Sequence, residues 1–264
     1  MTQTNSQPQY PILETRGLTI QFGSHVAVSE VDFQLAPRTF KSIIGPNGAG
    51  KTTFFNLISG QLKPTAGTVL FDNKTISDLS VHKRTRLGIG RSFQITNVFP
   101  NLTVLENVRI AAQAVSGRGF RLFAHYGKFR DLEEKAHRLL DKVHLSAKAE
   151  QLAKNLSHGD KRKLEIAILL ALDPKLLLLD EPTAGMAVEE VPAIIEVIRE
   201  LKASGEHTIL LIEHKIDLVL DLSDSLAVLF NGRLLADDTP EAIMNNDLVQ
   251  SAYLGGLYED TVTG

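Results

Sequence analysis

The residues Gly45-Pro46-Asn47-Gly48-Ala49-Gly50-Lys51-Thr52 constrain the fold more than anything else in the chain. They fit G-x-x-x-x-G-K-[ST] at every fixed position. An apolar run, Phe40–Ile44, reads as a strand leading into this loop, and Thr52–Ser59 reads as a helix leaving it, ended by Gly60. Glycines let a backbone wrap closely round an anion and aim successive N–H groups at phosphate oxygens. The start of the following helix adds its own positive end. In such a loop Lys51 reaches the β- and γ-phosphates, Thr52 offers its hydroxyl to magnesium, and Thr53 stands beside it at the helix start. A chance glycine-rich turn would lack the flanking strand and helix.

A second acidic feature belongs with the first. Leu176-Leu177-Leu178-Leu179 is an apolar strand that ends in Asp180-Glu181. In a parallel sheet such strand ends face the ligand crevice. Asp180 there would hold the magnesium ion, and Glu181 would polarise an attacking water as a general base. Alone, the pattern also describes a core strand before an acidic helix start. The phosphate loop upstream selects the first reading.

The rest of the chain supplies the architecture. Ile12–Leu35 reads as short strands and turns, and Thr68–Asp72 as a further strand. Leu132–Leu145 and Asp160–Leu172 have helical spacing, which makes residues 95–165 a helical insertion. Lys175–Asp180, Val191–Ser204 and Thr208–Ile212 alternate strand, helix, strand, as βαβ units of a parallel sheet do. Leu226–Phe230 and Arg233–Ala236, joined by Asn231-Gly232, form a hairpin, and Thr239-Pro240 opens a last helix. The expected fold is α/β, a mostly parallel P-loop core with an antiparallel β subdomain and an inserted helical subdomain. One domain spans 12–257: core 12–94 and 166–236, helical subdomain about 95–165, and a C-terminal helical extension 237–257. Residues 1–11 and 258–264 are expected to be flexible tails.

Composition excludes several chemistries. The chain of 264 residues has no cysteine, so disulfides, cysteine-ligated zinc and thiol catalysis are ruled out. Its net charge of −3 speaks against a nucleic-acid binder with a broadly basic surface. The polar start MTQTNSQPQYP lacks the form of a signal peptide, and no apolar run approaches the roughly 18 residues of a membrane span. Membrane contact is therefore expected through partners only.

A third motif, Leu156-Ser157-His158-Gly159-Asp160, resembles the signature of ABC ATPases, usually L-S-G-G-Q. Gln94 in Arg91-Ser92-Phe93-Gln94 is similar to that family's Q-loop, His214 to its switch histidine, and Phe22 to its adenine-stacking aromatic. All stand in the family's order along nearly the whole chain. The resemblance implies a head-to-tail dimer with ATP and Mg2+ between phosphate loop and opposing signature. It makes Ser157, His158, Gly159 and Asp160 nucleotide contacts, with Gln94 sensing magnesium and the attacking water. His214 would contact the γ-phosphate. Two departures stand out: His158 and Asp160 replace a glycine and the glutamine of the signature. The positive charges of Lys161, Arg162 and Lys163 are expected to offset Asp160. The segment Pro182–Ala187 also lacks the acid common in the family's D-loop.

Further phrases resemble ATP-binding subunits of branched-chain amino-acid importers: Arg91–Gln94, Val98–Val108, Ala184-Gly185-Met186 and Ala252-Tyr253-Leu254-Gly255. Urea importers and the lipopolysaccharide-export ATPase are related alternatives, and a non-transport ABC ATPase of translation or DNA repair is a different class. The implied partners are transmembrane permease subunits, a second ATPase subunit and, indirectly, a substrate-binding protein, at the cytoplasmic face of the inner membrane. Ile95–Pro100 would help receive a permease coupling helix. Gly117–Arg130, basic with interleaved aromatics, is read as an amphipathic connection near the membrane partner or a solvated helix with core aromatics, ahead of a nucleic-acid patch.

Overall fold

In the computed structural model of the chain, residues 10–92, 98–116 and 130–254 are described. They begin with β1 (Leu13–Phe22), β2 (His25–Leu35), β3 (Phe40–Ile44), α1 (Lys51–Ser59), β4 (Ala66–Phe71) and β5 (Lys74–Thr75). Next come α2 (Val81–Leu87), β6 (Ile89–Arg91), α3 (Val104–Val115), α4 (Arg130–Lys142) and α5 (His158–Ala171). β7 (Leu176–Asp180), α6 (Val191–Ser204), β8 (Thr208–Ile212) and α7 (Ile216–Leu222) follow. β9 (Ser225–Phe230), β10 (Arg233–Asp238), α8 (Pro240–Met244) and α9 (Asp247–Val249) come last, and a π-helical turn, Gln250–Leu254, closes the described chain. Two compact units result: Met1–Arg84 with His207–Gly264, and Thr85–Glu206.

The first unit holds an antiparallel sheet in the order β2-β1-β4-β5 and strands in the order β10-β9-β3-β8. β3 runs parallel to both β8 and β9, whereas β10 returns antiparallel to β9. β3 and β8 are buried at every position, which explains why β8 reads as the run Ile-Leu-Leu-Ile rather than alternating, and why the Lys41 and Ser42 of β3 need partners. Phe33 of β2 meets Phe54 of α1 edge to face, with centroids 5.4 Å apart. The one lysine in β3, Lys41, is accommodated because its ammonium donates to Asp237 at 2.7 Å and lies 4.9 Å from the Phe33 ring centre. The β9–β10 turn places Asn231 at φ 49° and Gly232 at φ 76°, the left-handed pair that a two-residue hairpin needs.

In the second unit β6 runs parallel to β7, with Arg91 opposite Leu178. The helices of this unit carry side-chain caps where the chain enters them. Thr103 Oγ1 accepts the Glu106 amide at 3.1 Å ahead of α3, and Ser157 Oγ accepts the Asp160 amide at 3.2 Å ahead of α5. α4 buries the stripe Leu132, Ala136, Leu139 and Leu140. It ends before the expected Leu145 because His144 takes a left-handed φ of 56°. α6 spans the expected residues and ends at Gly205. α2, α3, β6 and α7 were not singled out by periodicity, each being short or carrying a mixed pattern. The parallel strands, the antiparallel sheet and the helices make the α/β class expected from the sequence.

Candidate functional site

The phosphate loop lies between β3 and α1 and is braced from behind. The Gly232 amide donates to Ala49 O at 3.0 Å, and the Ser29 amide of β2 donates to Gly232 O at 2.8 Å. A side chain at Gly45 would stand 2.1 Å from Leu229 O, and one at Gly50, where φ is 96°, would stand 2.5 Å from Ala27 O. The glycines therefore serve backbone contacts to β2 and β9 as well as room for a phosphate. Lys51 is 6% exposed, and its ammonium donates to Gly45 O at 2.7 Å and Pro46 O at 3.0 Å. Those bonds hold the cation inside its own loop, where phosphate oxygens can replace the carbonyls. No side chain caps α1, whose N-cap is Gly50, and Thr52 is exposed beside it.

Phe22 and His214 belong to the same unit. Phe22 closes β1 and is 48% exposed. His214 is exposed just past β8, while Glu213 before it is buried and accepts the His214 amide at 2.9 Å. Glu213 holds the backbone at the end of β8, and sequence alone did not single it out. Its place, an acid at the end of an apolar strand like Asp180, was the available signal.

In the second unit Asp180 ends β7 and is 1% exposed. Its Oδ2 accepts from Arg91 Nη2 at 2.8 Å, and its amide donates to Ser92 Oγ at 3.2 Å. Oδ1 is buried without a hydrogen-bond partner among the described residues. A bare buried carboxylate oxygen is costly, and a cation ligand would satisfy it. Magnesium is commonly held by one or two protein oxygens together with substrate phosphates, and the bare Asp180 Oδ1 is a donor of the kind it takes. Glu181 follows with φ 45°, a left-handed backbone that an L-residue adopts only under constraint.

The signature segment occupies the N-terminus of α5. Ser157 caps the helix, and Ser157 and His158 are exposed. The Gly159 amide donates to Glu190 Oε1 at 3.1 Å, so a carboxylate sits at this anion-binding end of the helix. Asp160 is paired with Lys148. The expectation that Lys161, Arg162 and Lys163 offset Asp160 is thus corrected in part: the ion pair comes from a short turn upstream, and Arg162 is turned elsewhere, onto Glu165 at 2.7 Å. Proximity in sequence misled here because consecutive helical residues point to different faces.

The structure thus gathers Phe22, Gly45–Thr53 and His214 in one unit, and Ser157–Asp160, Asp180 and Glu181 in the other. Gln94 lies outside the described residues, as do Ile95–Asn97 and most of the basic aromatic stretch, 117–129. Lys148 and Glu190 escaped the sequence reading, as did the bonds of Arg91 to Asp180 and of Arg162 to the turn after β7, because these contacts join residues distant in the chain.

A lysine-bearing glycine loop between a parallel strand and a helix, with a buried strand-end aspartate, defines a nucleoside-triphosphate-binding ATPase of the α/β class. The chain belongs to the ABC transporter family, whose model matches residues 28–184. A second model, branched-chain amino acid ATP-binding cassette transporter, matches residues 233–258. LivG of Escherichia coli K12, a high-affinity branched-chain amino acid transport ATP-binding protein, is 40% identical over 250 residues, covering 93% of this chain and 98% of LivG. BraF of Pseudomonas aeruginosa, described in the same words, is also 40% identical over 250 residues with the same coverage. Among solved structures, the ADP conformation of MJ1267, an ATP-binding cassette of an ABC transporter, superposes with a TM-score of 0.78 at 32% identity. It covers 93% of this chain and 99% of its own. No helix among the described residues is long and apolar enough to cross a membrane.

Proposed function

We propose that this ABC ATPase powers uptake of branched-chain or other hydrophobic amino acids. It would do so as one of two ATPase subunits bound to permease subunits at the cytoplasmic face of the membrane, supplied by a substrate-binding protein. The observation that carries the substrate class is the match of residues 233–258 to the branched-chain model, beyond the general ATPase core. The 40% identity to LivG and BraF along nearly their full length supports the same reading. Urea or lipopolysaccharide transport is the second choice on this ground.

In this reading Phe22 stacks on adenine, and the amides from Gly45 to Thr53 with the Lys51 ammonium hold the phosphates. Ser157, His158, Gly159 and Asp160 meet the nucleotide of a partner subunit. Thr52, Asp180 and Gln94 would hold Mg2+, which neutralises phosphate charge when bound. Glu181 accepts a proton from the attacking water, and His214 orients that water against the γ-phosphate. The Gly159 amide exchanges its Glu190 carboxylate for a phosphate oxygen when a nucleotide arrives.

The test is ATP hydrolysis by the chain assembled with its permease and binding protein, with leucine or urea supplied. Hydrolysis stimulated by leucine is expected, and stimulation by urea instead would overturn the substrate class. In the same assembly Glu181→Gln should abolish turnover and hold the ATPase subunits together in ATP-Mg2+ on gel filtration. Turnover at the wild-type rate would remove Glu181 as the base.

A further inference from the structure

Arg162 lies one turn into α5, just past the signature, and is used by none of the roles above. Its side chain is 11% exposed and faces the turn that leaves β7. Nη2 donates to Glu181 O at 3.1 Å and to Asp180 O at 3.3 Å, and Nε donates to Pro182 O at 3.1 Å. Nη1 donates to Glu165 Oε2 at 2.7 Å, one turn further along the same helix. One guanidinium thus grips three successive carbonyls, and a buried carboxylate fixes its plane.

The middle carbonyl belongs to Glu181, whose φ of 45° is left-handed. A glutamate keeps that conformation only where its surroundings over-determine it. The Ala184 amide, donating to Glu181 O at 3.0 Å, closes the turn on the other side. The planar fork of an arginine suits this task, because its donors diverge at fixed angles while an ammonium is a single point of charge.

We propose that Arg162 is a positioning residue for hydrolysis: it locks the Glu181 backbone to the signature helix, so that nucleotide seated on the signature sets the aim of Glu181 in the same subunit. The Ser157 cap, Asp160 and Arg162 share the first turns of one helix. A phosphate that draws the start of α5 moves Arg162 with it, and the three carbonyls follow. The link joins two events that belong to different ATP molecules in a head-to-tail dimer, and it rests on the reading of Glu181 as general base.

The test compares wild type, Arg162→Lys, Glu181→Gln and the charge-neutral pair Arg162→Met with Glu165→Gln, each as the full chain in its transporter. The readouts are kcat, KM for ATP and melting temperature. For Arg162→Lys the expected result is a kcat lower by ~10- to 100-fold, the scale of a misaimed catalytic group, with KM and melting little changed. The neutral pair should show the same loss, since it removes the grip without stranding Glu165. A kcat within about twofold of wild type in both variants overturns the proposal. So does a loss that appears only together with lost ATP affinity or lost folding, which marks a merely structural arginine. If Glu181→Gln hydrolyses normally, the base assignment fails first. If Glu181→Gln is inactive while both Arg162 variants are fast, only the link fails.

Discussion

The guanidinium of Arg84 offers the sharpest test of how the phosphate-loop helix is held. Arg84 is 1% exposed and caps the C-terminal end of α1. Nη1 donates to Leu57 O at 2.6 Å and Ile58 O at 2.7 Å, Nη2 to Ser77 O at 2.9 Å, and Nε to Leu79 O at 3.0 Å. Burial pushes its pKa down to about 10, so the group stays charged at neutral pH. The native state binds this proton less tightly than the unfolded chain does, so the proton on Arg84 opposes folding and stability from this group rises with pH above about 10.

Arg84→Met keeps most of the stem volume and removes charge and donors together. The desolvation cost of the ion vanishes, which offsets part of the lost bonds. What remains are four carbonyls that lose their donor, two at the end of α1 and two in the loop before α2, at ~1 kcal/mol each, or ~3–4 kcal/mol in all. For a chain of this size that lowers the melting temperature by ~6–15 °C. Thermal and urea denaturation of the full chain measure it. Arg84→Lys should recover only part of the loss, because one ammonium cannot reach four carbonyls on two sides. An Arg84→Met protein that melts within about 2 °C of wild type would refute the reasoning, since it would put the cost below ~1 kcal/mol.

Gly45→Ala places a methyl 2.1 Å from Leu229 O, so the loop must shift; ATP affinity should fall by at least ~10-fold, read by titration with a fluorescent ATP analogue. Gly159→Ala should separate folding from function. Its new methyl meets Glu190 Cδ at 3.1 Å, a mild crowding offset by the ~1 kcal/mol helix advantage of alanine, so melting should barely move while ATP-driven dimerisation weakens. Lys148→Ala leaves Asp160 without its cation at the signature, and dimerisation in ATP-Mg2+ should drop, with Asp160→Gln restoring it. The Arg109 side chain holds the Glu106 carboxyl below its usual range. Stability from this half-exposed pair is therefore present at neutral pH and lost as pH falls through the lowered pKa. Glu106→Gln should cost under ~1 kcal/mol at pH 7 and nothing in acid, by urea denaturation at both pH values.

What the sequence made legible is what chemistry repeats at fixed spacing. The phosphate loop, the strand ending in Asp180 and the Asn231-Gly232 turn each carry their signal within a few consecutive residues. β3 and β8 were readable because a short apolar run is bounded on each side by polar or turn residues, and α6 because one apolar stripe recurs at helical spacing. The short elements β6 and α2 carried too few residues to show one. The supports of the site were opaque for a different reason. Arg91 is 89 positions from Asp180, and Glu190 is 31 from Gly159, so no local window contains both ends of either bond. Lys148 displaced the neighbouring lysines as the partner of Asp160 because a helix turns neighbours away from one another while the turn before it folds back.

The same division bears on how the phosphate loop keeps its shape. Its glycines look, in sequence, like provision for a ligand alone. In the fold two of them are also where β2 and β9 press in, through Ala27 O at Gly50 and Leu229 O at Gly45. The hairpin turn adds a bond from the Gly232 amide to Ala49 O, and β2 in turn donates to Gly232 O. Two segments far apart in the chain, β2 and the β9–β10 hairpin, thus hold one loop through backbone atoms. A loop held in this way is pre-organised for phosphate before any nucleotide binds, so less ordering remains to oppose binding. The Lys51 ammonium, seated on Gly45 O and Pro46 O, completes that arrangement, and in the function proposed above phosphate oxygens take the place of those carbonyls.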